Sequence, residues 1–142
     1  MQVLFHSFIL FMAFSLHSFA EIPACFKQIE RDFFRADIVS EALSIQNVGQ
    51  SNWAIINYEL QKRAAKVPER VQERANNLIP NPLNDPYDPV GAQALLEEVL
   101  QQVLAETLSL FHIDNRAKIG EIYGFIKAKQ IDLFNRCFPI EP

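Results

Sequence analysis

The chain has 142 residues, of which 13 are Lys or Arg and 17 are Asp or Glu, and its formal net charge is -4. Such a chain lacks the basic excess of a dedicated nucleic-acid binder, because those proteins need cations to neutralise phosphates. The roughly 120 residues that follow the first twenty are enough to bury one hydrophobic core without a metal ion. We therefore expect a single domain at residues 21–142 and no nucleic-acid partner.

The first twenty residues contain no Asp, Glu, Lys or Arg, and most of them are apolar. They end in Ser18-Phe19-Ala20, which has the small-x-small pattern of a signal-peptide cleavage site. This pattern predicts a cleaved signal peptide at 1–20 and a secreted or periplasmic protein. Two alternatives stay open, an uncleaved membrane anchor and a lipoprotein signal in which Cys25 carries the lipid. Contact with a membrane is expected only under these alternatives.

The expected domain contains two cysteines, Cys25 near its start and Cys137 near its end. An even number of cysteines in an exported chain favours a disulfide over two free thiols. The bridge would close a loop of about 110 residues, to which the chain-entropy model assigns about 4.7 kcal/mol. His112 is the domain's only histidine, so these residues do not complete a usual zinc ligand set. We expect no metal ion and no other cofactor.

Apolar side chains recur at spacings of three and four from Pro23 onward, which predicts an amphipathic helix over about residues 23–46. Turn residues at 47–52 end this helix. The next apolar series runs from Trp53 to Leu78 and keeps its helical phase through Pro68. Proline removes a backbone donor and disfavours helical geometry at the residue before it. The pattern therefore predicts either one kinked helix or two nearly collinear helices.

Residues 79–89 contain four prolines, and Asn and Asp residues lie between them. This composition predicts an exposed, semi-rigid connector. Asp88 and Pro89 then supply an N-cap and a first-turn proline for a third helix over about 90–112. The apolar face of this helix is broad and few of its residues are charged, so we expect it to be the most buried helix.

Asp114 is expected to cap a fourth helix over about 115–137. Gly120, Gly124 and Ala128 lie four residues apart on one side of this helix. Small residues at this spacing allow two helix backbones to approach closely. We therefore expect this side of the fourth helix to cross a neighbouring helix at short distance.

Four antiparallel helices of similar length bring the start of the first and the end of the fourth to the same end of a bundle. Cys25 and Cys137 would then be neighbours, which agrees with the predicted disulfide. The sequence therefore predicts an all-α, antiparallel up-down four-helix bundle with its termini joined by a disulfide.

Catalytic motifs are not evident in the domain. His112 precedes Asp114 by two residues, but no nucleophile accompanies the pair. A histidine at a helix end is favoured as a cation near the negative pole of the helix. No carboxylate-x-x-His, phosphate-loop or His-Glu-x-x-His motif occurs. The sequence therefore predicts no catalytic residue.

The second predicted helix carries a basic stripe, in which four side chains follow one another at spacing four: Lys62, Lys66, Arg70 and Arg74. Like charges at this spacing repel each other. The stripe therefore favours a partner, either the acidic third helix or an external anion. Its three interpretations are an ordinary solvated face, a surface for a protein partner, and a surface for an anionic membrane or polyanion.

These observations predict an exported, non-enzymatic interaction protein whose protein partner is unknown. The first alternative is a carrier that holds an apolar ligand between its helices, and a small secreted enzyme is less favoured. A helical bundle by itself indicates no particular function, because function depends on sites rather than on the fold.

Overall fold

The computed structural model describes residues 22–138, and the predicted signal peptide at 1–20 lies outside them. Residues 22–138 form seven α-helices and no strand: α1 (Ala24–Asp32), α2 (Ala36–Ile45), α3 (Trp53–Ala64), α4 (Val67–Asn76), α5 (Pro89–Ser109), α6 (Arg116–Lys129) and α7 (Ile131–Cys137). A short 3₁₀ turn, Gln50–Asn52, precedes α3. The all-α class is confirmed, whereas a four-helix up-down bundle is not, because three of the four predicted helices are divided.

The first predicted helix is divided between α1 and α2, where Arg35 is extended at φ -63° and ψ 132°. Phe33 and Phe34 are both completely buried, and their ring centroids lie 4.9 Å apart. Adjacent side chains on a continuous helix point about 100° apart, so one helix face cannot bury both rings equally. The interruption lets both phenyl rings enter the core.

Gln130 links this interruption to the one between α6 and α7. Its side-chain amide is buried and donates a 2.8 Å hydrogen bond to the backbone carbonyl of Asp32. The amide of Gln61 donates to the carbonyl of Phe34 in the same way. Carbonyls at a helix end lack a partner within the helix, so these two glutamines satisfy groups that the interruption leaves free.

The second predicted helix adopts the divided alternative, since α3 ends at Ala64 and Pro68 lies in the first turn of α4. A proline is tolerated there because its missing N–H has no partner in the first turn. The apolar series keeps its phase across the division, with Leu60, Val67 and Val71 all buried.

Helix α5 is the central element and packs against α3, α4 and α6. Its N-cap was predicted correctly, because the Asp88 carboxylate accepts a 3.1 Å hydrogen bond from the Gly91 N–H. The helix ends at Ser109 rather than at the predicted residue 112. Its nine buried residues are Ala92, Leu95, Leu96, Val99, Leu100, Val103, Leu104, Thr107 and Leu108.

The predicted N-cap of the fourth helix was wrong by one residue. Asn115, not Asp114, accepts a 3.1 Å hydrogen bond from the Lys118 N–H. Before it, His112 adopts a left-handed conformation at φ 61°, and the Ile113 N–H donates to the carbonyl of Leu108 at 3.0 Å. This turn is longer than expected, because it satisfies the last carbonyls of α5 before α6 begins.

The predicted close crossing at the small residues of α6 is wrong. A Cβ atom added to Gly120 or Gly124 would meet no other atom within 4 Å. Ile122 and Ile126 are the completely buried residues of this helix, and they lie on another side of it. The two glycines therefore face open space.

The disulfide between Cys25 and Cys137 is confirmed, and it joins the start of α1 to the end of α7. The two helices pack against each other, and the Phe26 and Phe138 rings lie beside the bridge with centroids 5.4 Å apart.

A disulfide indicates an oxidising, extracellular or periplasmic setting. Because the Cys25 sulfur is bonded to Cys137, it has no thiol to carry a lipid. None of the helices between residues 22 and 138 is long and apolar enough to cross a membrane.

The connector at 79–89 is irregular up to Pro89, where α5 begins. Its middle is anchored, because Leu83 is only 7 % exposed and the Asp88 N–H donates to the Pro82 carbonyl at 2.9 Å. Its first residue, Ile79, is 99 % exposed. The connector is therefore a surface loop held at one internal point.

We expect the Cys25→Ser, Cys137→Ser double variant to lose about 4 kcal/mol of unfolding free energy, because the unfolded chain regains the freedom that the long loop removes. Urea denaturation of the oxidised protein and the double variant measures the difference. Wild type treated with reductant should match the double variant, which itself should not respond to reductant. Equal midpoints for oxidised and reduced wild type would contradict this expectation.

Two substitutions in the connector test its anchoring. Leu83→Ala should lower the unfolding free energy by about 2 kcal/mol, because it removes buried apolar volume. Ile79→Ala should change it by less than about 0.5 kcal/mol, because that side chain is in solvent. Denaturant titration of both variants gives the comparison, and equal losses would show that Leu83 is not an anchor.

Candidate functional site

A cleft of about 210 Å³ lies between the α3–α4 segment and α5. Six charged residues line it: Glu59, Lys62, Arg63, Lys66, Arg70 and Glu106. We call this surface the basic cleft, because its four cations outnumber its two carboxylates. Three of those cations, Lys62, Lys66 and Arg70, belong to the predicted basic stripe, and the fourth, Arg63, follows Lys62 in sequence. The stripe therefore lies along one side of the cleft.

Helix α5 neutralises the second half of the basic stripe. Arg70 makes two hydrogen bonds to the Glu106 carboxylate, at 2.8 and 3.1 Å. Arg74 donates to the Glu98 carboxylate of the same helix. The acidic third predicted helix is therefore the partner of these two arginines. Partly exposed pairs of this kind contribute about 0–1 kcal/mol each to stability.

The first half of the stripe has no such partner. Lys62 and Lys66 are both exposed, and no carboxylate within residues 22–138 lies within 4.0 Å of either ammonium group. Arg63, between them in sequence, is 3.7 Å from Glu59 and 3.9 Å from Glu106. The uncompensated positive charge of the basic cleft therefore resides on the two lysines.

A second concave surface, of about 570 Å³, lies between α5 and α6. From α5 it is lined by Glu98, Gln101, Gln102 and Ala105, and from α6 by Arg116, Ile119, Gly120 and Tyr123. We call it the apolar groove, because most of its exposed wall is hydrocarbon. Gly120 keeps one side open, since it has no Cβ atom to fill the space.

Tyr123 is fixed at one end of the apolar groove. Its hydroxyl donates a 3.0 Å hydrogen bond to the Glu97 carboxylate, and the Lys127 ammonium lies 2.6 Å from the same oxygen. Burial, together with the negative charge of Glu97, raises the pKa of the Tyr123 hydroxyl. The phenol therefore stays neutral and acts as a rigid wall of the groove.

The remaining sequence candidates lie elsewhere. His112 is exposed in the turn after α5, and neither it nor Asp114 lines the basic cleft or the apolar groove. Across residues 22–138, His, Cys, Asp and Glu side chains do not gather into a group that could hold a metal ion. The apolar-carrier alternative placed a ligand between helices, but a surface groove between α5 and α6 was not predicted, because the spacing of Gly120 and Gly124 does not show which side of the helix meets the core.

Tyr123→Phe should lower the unfolding free energy by about 1.5 kcal/mol, because it removes a hydrogen bond to a charged acceptor in a partly buried site. Tyr58→Phe is the matched control, since Tyr58 is 66 % exposed. The control should be neutral within about 0.5 kcal/mol. Thermal or urea unfolding measures both, and a neutral Tyr123→Phe would mean that the Glu97 contact adds nothing to stability.

The basic cleft and the apolar groove are both built on α5, yet they share no lining residue. Either surface can therefore be altered without changing a residue of the other.

No family model matches the chain, no curated protein matches it, and no solved structure matches it.

Proposed function

We propose that the protein is an exported, non-enzymatic interaction protein that binds an acidic protein partner through the basic cleft. One observation carries the proposal: Lys62, near the end of α3, and Lys66, in the turn before α4, are both exposed and lack a carboxylate partner within residues 22–138. The leader at 1–20 supports export, as does the disulfide, because disulfides persist in oxidising compartments.

The position of the two lysines fits a structured partner. Lys62 and Lys66 line the same cleft, so a partner with two neighbouring carboxylates could meet both ammonium groups. Arg70 is already held by Glu106 and gives the cleft a fixed wall. Such an arrangement binds by charge and shape and requires no reacting group.

The charge of the rest of the chain favours a defined orientation. The whole sequence carries a formal charge of -4, whereas the basic cleft is locally positive. An acidic partner would therefore be repelled by most of the surface and attracted at the cleft, and complementary charges of this kind steer association. The attraction should weaken with salt, because screening acts over about 8 Å at physiological ionic strength.

A second candidate function is the transport of a small ligand. The apolar groove supports it, because about 570 Å³ lies within the usual size of small-molecule sites. The groove is at the surface between α5 and α6, so a ligand there would be held against two helices and would not be enclosed by all of them.

Charge reversal tests the acidic-partner proposal. The variant Lys62→Glu, Lys66→Glu should lose the protein that wild type retains from the exported fraction at low salt. The variant Lys27→Glu, Lys129→Glu is the matched control, because it makes the same change in net charge at exposed lysines outside the cleft. The control should retain the partner, and raised salt should release it from wild type.

Carbodiimide cross-linking then identifies the contact, because it joins a lysine directly to a carboxylate. Cross-links from Lys62 or Lys66 to Asp or Glu of the retained protein are expected. Equal retention by the two double variants would contradict the proposal, as would cross-links that avoid both lysines. Circular dichroism should show both variants folded, since none of the four lysines forms an ion pair within residues 22–138.

A further inference from the structure

The dimensions of the apolar groove limit what it can hold. Its wall on α6 runs from Arg116 to Tyr123, which is about 10 Å at 1.5 Å per residue. Its wall on α5, from Glu98 to Ala105, has the same length in residues. A groove of this length and volume suits a small molecule, and it is too short for an extended acyl chain or for several turns of a partner helix.

The charges around the groove are unevenly compensated. Glu98 is paired with Arg74, and Glu97, behind Tyr123, is paired with Lys127. Both cations come from outside the groove, so the carboxylates at this end have little net charge to offer a ligand. Arg116, at the other end, is exposed and has no carboxylate within 4.0 Å among residues 22–138.

The middle of the groove is open and is apolar on its α6 side. Ile119 is partly buried against the core, and Gln101 and Gln102 line the groove from α5. Gly120 lies between the two ends and leaves free space where any other residue would place a side chain. A flat apolar group could therefore lie directly on the α6 backbone at Gly120.

We propose that the apolar groove is a binding site for a small apolar anion about 10 Å long. The anionic group pairs with the Arg116 guanidinium, and the apolar body lies over Gly120 beside Ile119. This site goes beyond the acidic-partner proposal, because it shares no residue with the basic cleft.

Two fluorescent probes test the site on the folded, disulfide-bonded protein. The first is 1-anilinonaphthalene-8-sulfonate, which combines an aromatic body with one sulfonate. The second is N-phenyl-1-naphthylamine, which has the same body without the charge. Saturable 1:1 binding of both probes is expected, with the sulfonate binding more tightly. Absence of saturable sulfonate binding to the folded protein would overturn the proposal.

Gly120→Leu should abolish binding of both probes, because its side chain fills the groove. Gly124→Leu is the matched control: it lies on the same helix, its Cβ also meets open space, and it does not line the groove. Both leucines should stabilise the helix alike, so thermal unfolding verifies that both variants fold. Equal probe binding by the two variants would overturn the assignment of the site.

Arg116→Gln tests the recognition of the anion. It should weaken binding of the sulfonate by about tenfold, because a charge-assisted hydrogen bond is lost, and leave the uncharged probe unaffected. An unchanged sulfonate affinity, or an equal loss for both probes, would overturn the role of Arg116. Lys62→Glu, Lys66→Glu should bind both probes as wild type does, so this result separates the groove from the basic cleft.

Discussion

Helix α5 buries nine of its side chains among α3, α4 and α6, and this burial determines what is left for binding. Among the residues of the helix that remain accessible, Glu106 lines the basic cleft and Gln101 lines the apolar groove. The basic cleft and the apolar groove are therefore both built on one largely buried helix. The Arg74–Glu98 pair lies between them, because Glu98 lines the groove while Arg74 belongs to the stripe.

Periodicity predicted which residues are buried better than it predicted where helices end. Leu60, Val67 and Val71 are buried on either side of a helix boundary, because a change of backbone direction need not change the side that faces the core. The interruption at Phe33 and Phe34 was not predictable from local sequence. It depends on the burial of both rings and on Gln130, which is 98 residues from Asp32. The cap at Asn115 rather than Asp114 reflects two neighbouring residues that are both able to cap.

The basic cleft was predicted from the sequence in part, whereas the apolar groove was not. The basic stripe was visible in the sequence, but the sequence could not separate Arg70 and Arg74, which α5 neutralises, from Lys62 and Lys66, which it does not. That distinction depends on where Glu98 and Glu106 lie in three dimensions. The spacing of Gly120 and Gly124 showed that they share a side of α6 but not which side meets the core. The apolar groove could not be predicted from the sequence for this reason.

The disulfide gives the domain the connectivity of a ring. Cys25 and Cys137 are 112 positions apart, so nearly all of the described chain lies between the two bonded sulfurs. The connector is exposed at Ile79, which is 99 % accessible, and a protease can reach the ring there. A single cut there would open the ring without releasing a fragment, because the bridge would still join the two halves. In a compartment that contains proteases, the domain can therefore lose one peptide bond and remain one molecule.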